Sequence, residues 1–204
     1  MPESEPLDIT VLDDQEDEPT PPRSRARRVL LGTVLAVALA VVAAVAYVGW
    51  QIGTQNDATL STPQQIGSLS LDQTEDGKST ADYLQTALAA EIDFDHTVGA
   101  VYSATGGNVL FFGGTTLIMN PSKDLNTAFG LISDSQGAVT GLHEVPAGRF
   151  GGTMKCGTTK SDDGELVVCG WADHGSLALA MFPGRSEDDS ATLLREIRDA
   201  TQKR

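Results

Sequence analysis

The hydrophobic pattern divides the chain sharply near its start. Residues 1–28 contain few large apolar groups, and Val29–Trp50 is then built almost wholly of Ala, Val and Leu, with no charge before Asp57. As a helix rising 1.5 Å per residue, this stretch of 22 residues would measure about 33 Å, enough to cross a hydrocarbon core of about 30 Å. A single transmembrane helix over 29–50 is predicted. Residues 51–63 are small and polar and read as a flexible stalk.

From 64 onward strand and helix patterns alternate. Ile66–Leu71 reads as a short strand. Ser79 with Asp82 forms a capping box, and Leu84, Ala87, Leu88 and Ile92 recur at helical spacing behind it. Thr97–Ser103 and Asn108–Phe112 flank Thr105-Gly106-Gly107 and predict a hairpin, with Thr115–Met119 continuing it or adding a strand. Asn120 as N-cap and Pro121 as first helical residue open a second helix whose buried stripe is Leu125, Ala128, Phe129 and Ile132. Strands are expected at Gly141–Val145, Phe150–Thr158, Glu165–Ala172 and Ser176–Phe182. The last helix is capped by Ser186, carries Glu187, Asp188 and Asp189 at its positive end, and turns Leu193, Leu194, Ile197 and Ala200 inward. Hairpins dominate this order, which predicts an α+β domain over 64–204: an antiparallel sheet with about three helices on one face.

Charge gives the span a direction. Arg23, Arg25, Arg27 and Arg28 crowd its N-terminal flank, whereas no Lys or Arg follows it until Lys78. The positive-inside rule places residues 1–28 in the cytoplasm and the domain outside, with Tyr47 and Trp50 at the outer interface. A cleaved signal is the alternative: Ala44-Val45-Ala46 has the small-x-small form of a peptidase site, and Arg27-Arg28 before Val29-Leu30-Leu31 loosely matches a twin-arginine signal. The apolar run is longer than the usual signal core of about 7–15 residues. Gly32, Ala36, Ala40 and Ala44 fall on one stripe of the span, the spacing that lets two membrane helices approach closely, so a homodimer through this helix is one expectation. The tail holds eight acids and Pro2, Pro6, Pro19, Pro21 and Pro22, a composition expected to be disordered. The whole chain carries a formal net charge of −14, and the part after residue 28 keeps 20 acids and 10 bases, which argues against nucleic acid as partner, since this acidic domain offers no clustered cations to phosphates.

Two cysteines occur, Cys156 and Cys169, both after the span. A hairpin turning through Ser161-Asp162-Asp163-Gly164 pairs Lys160 with Glu165, and counting back sets Cys156 opposite Cys169 and Met154 opposite Trp171. Opposed residues of an antiparallel pair lie within disulfide reach, so a structural disulfide is expected in an oxidising exterior.

Candidate chemistry is sparse. Asp173 could orient a catalytic His174, although Asp173-His174-Gly175 between two strands also makes a tight turn with the imidazole exposed. No Ser sits in a Gly-x-Ser-x-Gly elbow. Asp93-Phe94-Asp95-His96 offers hard ligands, but strand alternation sends His96 to the other side from the two carboxylates. Asp162-Asp163-Gly164-Glu165 lacks EF-hand spacing, Phe112-Gly113-Gly114-Thr115-Thr116 lacks the Lys of a phosphate loop, and His143-Glu144 lacks a second His. No cofactor or metal is expected.

From Gly141 to Arg185 the chain resembles a group of uncharacterised actinobacterial single-pass membrane proteins. It does so through Lys155-Cys156-Gly157, then Cys169-Gly170-Trp171-Ala172-Asp173, then the glycine-bounded stretch Gly175–Gly184. A fainter similarity joins it to extracytoplasmic sensor domains of actinobacterial receptor kinases. The resemblance implies an exported, membrane-tethered domain and brings no activity with it. The expected role is non-enzymatic binding of an envelope protein or small ligand. A hydrolase using Asp173 and His174, and a signalling accessory acting through the acidic tail, are the rivals.

Overall fold

The computed structural model describes residues 23–132, 137–161 and 164–204, and only the backbone of 23–28. The acidic tail as far as Pro22, and Asp162 and Asp163 of the hairpin turn, lie outside the described residues. Two compact units are present, 1–45 and 46–204. Helix α1 (Arg23–Gln55) contributes to both. Its stretch Val29–Gln55 has a mean hydropathy of 2.8 over its most apolar window, and the apolar side chains from Val29 to Trp50 are exposed. It is long and apolar enough to cross a membrane.

The second unit contains a two-stranded and an eight-stranded antiparallel sheet. Strand β1 (Thr59–Leu60) pairs with β10 (Gln202–Lys203), so that the last strand of the sequence meets the residues just after α1. The stretch 51–63 is therefore no free stalk: α1 runs on to Gln55, Ala58 and Leu60 are buried, and the Tyr102 hydroxyl donates to the Pro63 carbonyl at 3.0 Å. Composition could not reveal this, because the burial comes from pairing with residues far along the chain.

The larger sheet runs β2 (Gln65–Ile66), β3 (Leu69–Leu71), β4 (His96–Ser103), β5 (Val109–Thr115), β9 (Ser176–Pro183), β8 (Gly164–Ala172), β7 (Thr153–Ser161), β6 (Thr140–Glu144) in spatial order. Ile66–Leu71 is thus two strands turning at Gly67, and 116–119 adds no strand. After β5 the chain crosses through helix α3 (Pro121–Leu131) to the far edge and returns strand by strand until β9 pairs with β5. Asn120 accepts from the Lys123 amide and Pro121 is the first helical residue, the expected start. Helix α2 (Glu75–Ala89) begins four residues before the proposed capping box: Thr74 is its N-cap, accepting from the Gly77 amide. Ser79 lies inside the helix and bonds back to the Asp76 carbonyl. A side chain at Gly99 of β4 would meet the Ala81 carbonyl oxygen at 2.6 Å, so its absence lets α2 seat directly on the sheet.

Helices cover both faces of this sheet, where one covered face was expected. On one, α2 and α3 bury Leu88, Leu125, Ala128 and Phe129 against Phe112, Val168, Leu177 and Leu179. On the other, helix α4 (Glu187–Thr201) buries Ala191, Leu194 and Ile197 with Phe111, Trp171, Ala178 and Phe182. Alternate residues of β5, β8 and β9 point to opposite faces, and both sets are apolar, as a sheet covered on both sides requires. Cys156 and Cys169 are directly opposed and joined by a disulfide with Cα atoms 4.1 Å apart. Met154 opposes Trp171, and all four side chains lie in the α4-side core, where Trp171 stacks on Phe111 at 5.8 Å.

Candidate functional site

The polar chemistry of the domain gathers where β8 turns into β9. Asp173 follows directly on β8 with no exposed surface, and its carboxylate is filled. Oδ1 accepts from the amides of Gly175 (2.9 Å) and Ser176 (2.8 Å) and from the Ser176 hydroxyl (3.1 Å). Oδ2 accepts from Arg198 (2.8 Å), Gln202 (2.7 Å) and Arg204 (2.6 Å). The amide bonds make the tight turn expected at 173–175, and the side-chain bonds tie that turn to α4 and the strand behind it. Trp171 adds an indole N–H to the Ser176 hydroxyl at 3.2 Å.

Arg198 is 1% exposed and equally committed. Its Nε donates to Gln202 (2.8 Å), one terminal nitrogen to the carbonyls of Ala147 and Gly151, and the other to Asp173. Its guanidinium carbon lies 5.3 Å from the Trp171 ring centroid, a cation–π contact. Burial alone would push the Asp173 carboxyl up. The bonds from Gln202 and Gly175 and the charges of Arg198 and Arg204 outweigh it and hold the carboxyl below its ordinary range. Burial also brings Arg198 down to about 10, and the neighbouring charge of Arg204 on the same carboxylate adds to this. The two partners shift in opposite senses as regards their charged forms, yet both stay ionised at neutral pH.

His174 follows Asp173 in sequence but bonds elsewhere. Its Nδ1 sits 2.8 Å from the Ile118 carbonyl, which sets that nitrogen as donor, and its amide donates to Gln55 Oε1 at 3.0 Å. The Ile118 amide in turn donates to the His174 carbonyl. The ring is part-buried rather than exposed. With all its acceptor positions turned to other groups, Asp173 does not orient this imidazole, and an Asp–His dyad is not assembled. The Gln55 backbone lies against Gly175, where a side chain would collide with its carbonyl, so the last turn of α1 packs directly on the β8–β9 turn.

One cleft borders this region and another lies elsewhere on the sheet. The first, of about 330 Å³, is lined by Gln51, Gln55, Asn120, Ser122, Thr153 and His174. The other, of about 340 Å³, lies between α2 and the sheet and is lined by Tyr83, Leu84, Leu88, Phe112 and Met181 among others. Among the described residues no three His, Cys, Asp or Glu side chains stand together as metal ligands. His143 is exposed on the edge strand β6 and pairs with Glu187 at 3.1 Å. His96 opposes Thr115 in the sheet, away from any partner carboxylate in that register. In the first unit, Gly32 of the small-residue stripe has open space around it.

The tight turn read at 173–175 is formed, and the long-range partner of its carboxylate is Arg198 rather than His174. The signal for that partner was present: Arg198 and Gln202 are one helical turn apart, and Arg198 falls in line with Leu194 and Thr201, a lone charge on the buried face of α4. Comparison with known protein families, curated proteins and solved structures finds no match to this chain.

Proposed function

We propose that this protein is a single-pass membrane protein, N-terminus in the cytoplasm, whose disulfide-closed domain binds a protein or small ligand outside the membrane without catalysing a reaction. The observation that carries the reading is the filled carboxylate of Asp173: six donors hold it, none of them the His174 ring, which is turned to the Ile118 carbonyl through Nδ1. A catalytic dyad needs the carboxylate to hold the imidazole, and here Asp173 is committed to its turn, α4 and the last strand, while His174 joins the turn to Ile118 and to the end of α1. The apolar span Val29–Gln55 and a disulfide suited to an oxidising compartment support export. Self-association through Gly32, Ala36, Ala40 and Ala44 is the expected contact within the bilayer.

The test is in-cell crosslinking with mass spectrometry, run on wild type and His174→Ala. Binding without catalysis predicts the same crosslinked partners in both. A hydrolytic activity in the purified wild type that His174→Ala abolishes would contradict the reading.

A further inference from the structure

The cleft of about 330 Å³ beside the β8–β9 turn is walled by the starts of α3 and β7 and by the last turn of α1, all within the unit 46–204. Its volume falls among those of small-molecule sites, about 300–1,000 Å³. Such sites are mostly apolar with a few polar groups, and this one is the reverse. Apart from Pro121 and Gly152, every residue of its wall carries a polar side chain. Among the described residues that line it there is no Asp, Glu, Lys or Arg.

Three of these side chains are fixed through one atom and leave another open. Gln55 is 7% exposed, and its Oε1 accepts from the His174 amide at 3.0 Å. Its Nε2 bonds nothing among the described residues, so a buried amide donor is left to whatever enters the cleft. Asn120 spends Oδ1 on the Lys123 amide, which caps α3, and keeps Nδ2. Ser122 Oγ accepts from the Lys155 ammonium at 3.3 Å and keeps its hydroxyl proton. Thr153, at the start of β7, is half-buried and adds a hydroxyl with no bond among the described residues. Ends of helices and a strand hold all four, so the donors are positioned before any ligand arrives.

Charge narrows the ligand class. A cation meets no carboxylate in this wall. An anion meets no ring of amides, although α3 begins here, because Pro121 has no N–H and the Lys123 amide is taken by Asn120. The wall suits a neutral molecule dense in hydroxyls, each able to accept from an amide and to donate in return. We propose that this cleft binds a neutral saccharide ring, with Gln55 and Asn120 donating to its hydroxyls and Ser122 and Thr153 exchanging hydrogen bonds with them. The proposal rests on the reading of the domain as a binder and names the class of its small ligand.

Saturation-transfer NMR on the full chain in a sugar-free zwitterionic detergent tests this. The probes are glucose, galactose, mannose and N-acetylglucosamine, their methyl glycosides, and maltose. At least one should receive saturable transfer from wild type. Thr153→Val, and separately Asn120→Asp, which keeps the cap oxygen, should each weaken that binding about three- to tenfold, the worth of one lost hydrogen bond. Tyr83→Ala, in the cleft beside α2, should leave it unchanged. Near-UV circular dichroism of Trp171 checks that each variant is folded. Binding of a free sugar without its methyl glycoside assigns a free solute, binding of both assigns a terminal residue of a glycan, and either supports the proposal. If the sugars bind wild type and both cleft variants alike, or bind none of them, the cleft assignment is overturned while the binder reading stands on its crosslinked partners. Conversion of maltose to glucose in the same spectra would overturn the non-catalytic reading instead.

Discussion

Replacing Asp173 by Asn keeps the shape of the side chain and removes its charge, leaving Arg198, 1% exposed, without its carboxylate and facing Arg204 across the same site. Removing one partner of a buried pair costs about 3–5 kcal/mol, because the remaining charge is uncompensated. A domain of this size changes its Tm by about 2–4 °C per kcal/mol, so a drop of about 6–20 °C is expected. Thermal unfolding of the full chain in detergent, followed by near-UV circular dichroism of Trp171, measures it. The acid limb gives an independent check. The folded carboxyl lies below its ordinary value, so its contribution is complete above about pH 4 and is lost as pH falls through the folded value. Wild type and Asp173→Asn should therefore converge in stability below about pH 4. A double-mutant cycle with Arg198→Met should give a coupling energy of about 1–3 kcal/mol. A loss under about 1 kcal/mol at neutral pH, or a gap that persists undiminished in acid, would refute the view of this carboxylate as the clamp of the fold.

Reducing the Cys156–Cys169 bridge, or replacing both residues by Ser, should lower stability by about 3 kcal/mol, the loop-closure value for a separation of 13 residues, read as a shift in denaturant midpoint. Burial pushes the Tyr102 hydroxyl up to about 12. A raised folded value means full stability below about pH 10 and its loss as pH climbs through about 12, a swing of about 2–3 kcal/mol that Tyr102→Phe should remove from an alkaline titration. Gly175→Ala should displace the Gln55 backbone from the β8–β9 turn, and hydrogen exchange at 51–56 should quicken while exchange in β8 and β9 stays slow.

What can be read from the chain is what local rules decide. The β7–β8 register follows from a short turn and a strict two-residue period, which is enough to match Cys156 to Cys169 and Met154 to Trp171. The starts of α3 and α4 follow from Asn120, Pro121 and Ser186. The start of α2 is obscured because Gly77 interrupts the helical pattern, although Thr74 with Glu75 and Asp76 behind it is a sound beginning. The second covered face is legible in Leu177–Phe182, an apolar run without alternation that a sheet open to water on one side would not carry. Of the clamp at Asp173 only the lone charge of Arg198 on the inward face of α4 is legible, since the partners of Oδ2 lie 25, 29 and 31 residues away and meet it only once α4 has packed on the sheet.

The account turns on which side of the membrane the domain occupies. Lys78, Lys123, Lys155, Lys160 and Lys203 are the only lysines of the chain, and all follow the span. A membrane-impermeant amine-reactive biotin ester added to intact cells should label the protein fully, with modified peptides at the exposed Lys78, Lys123, Lys160 and Lys203. Labelling of those lysines only after the cells are lysed would place the domain in the cytoplasm and contradict the account.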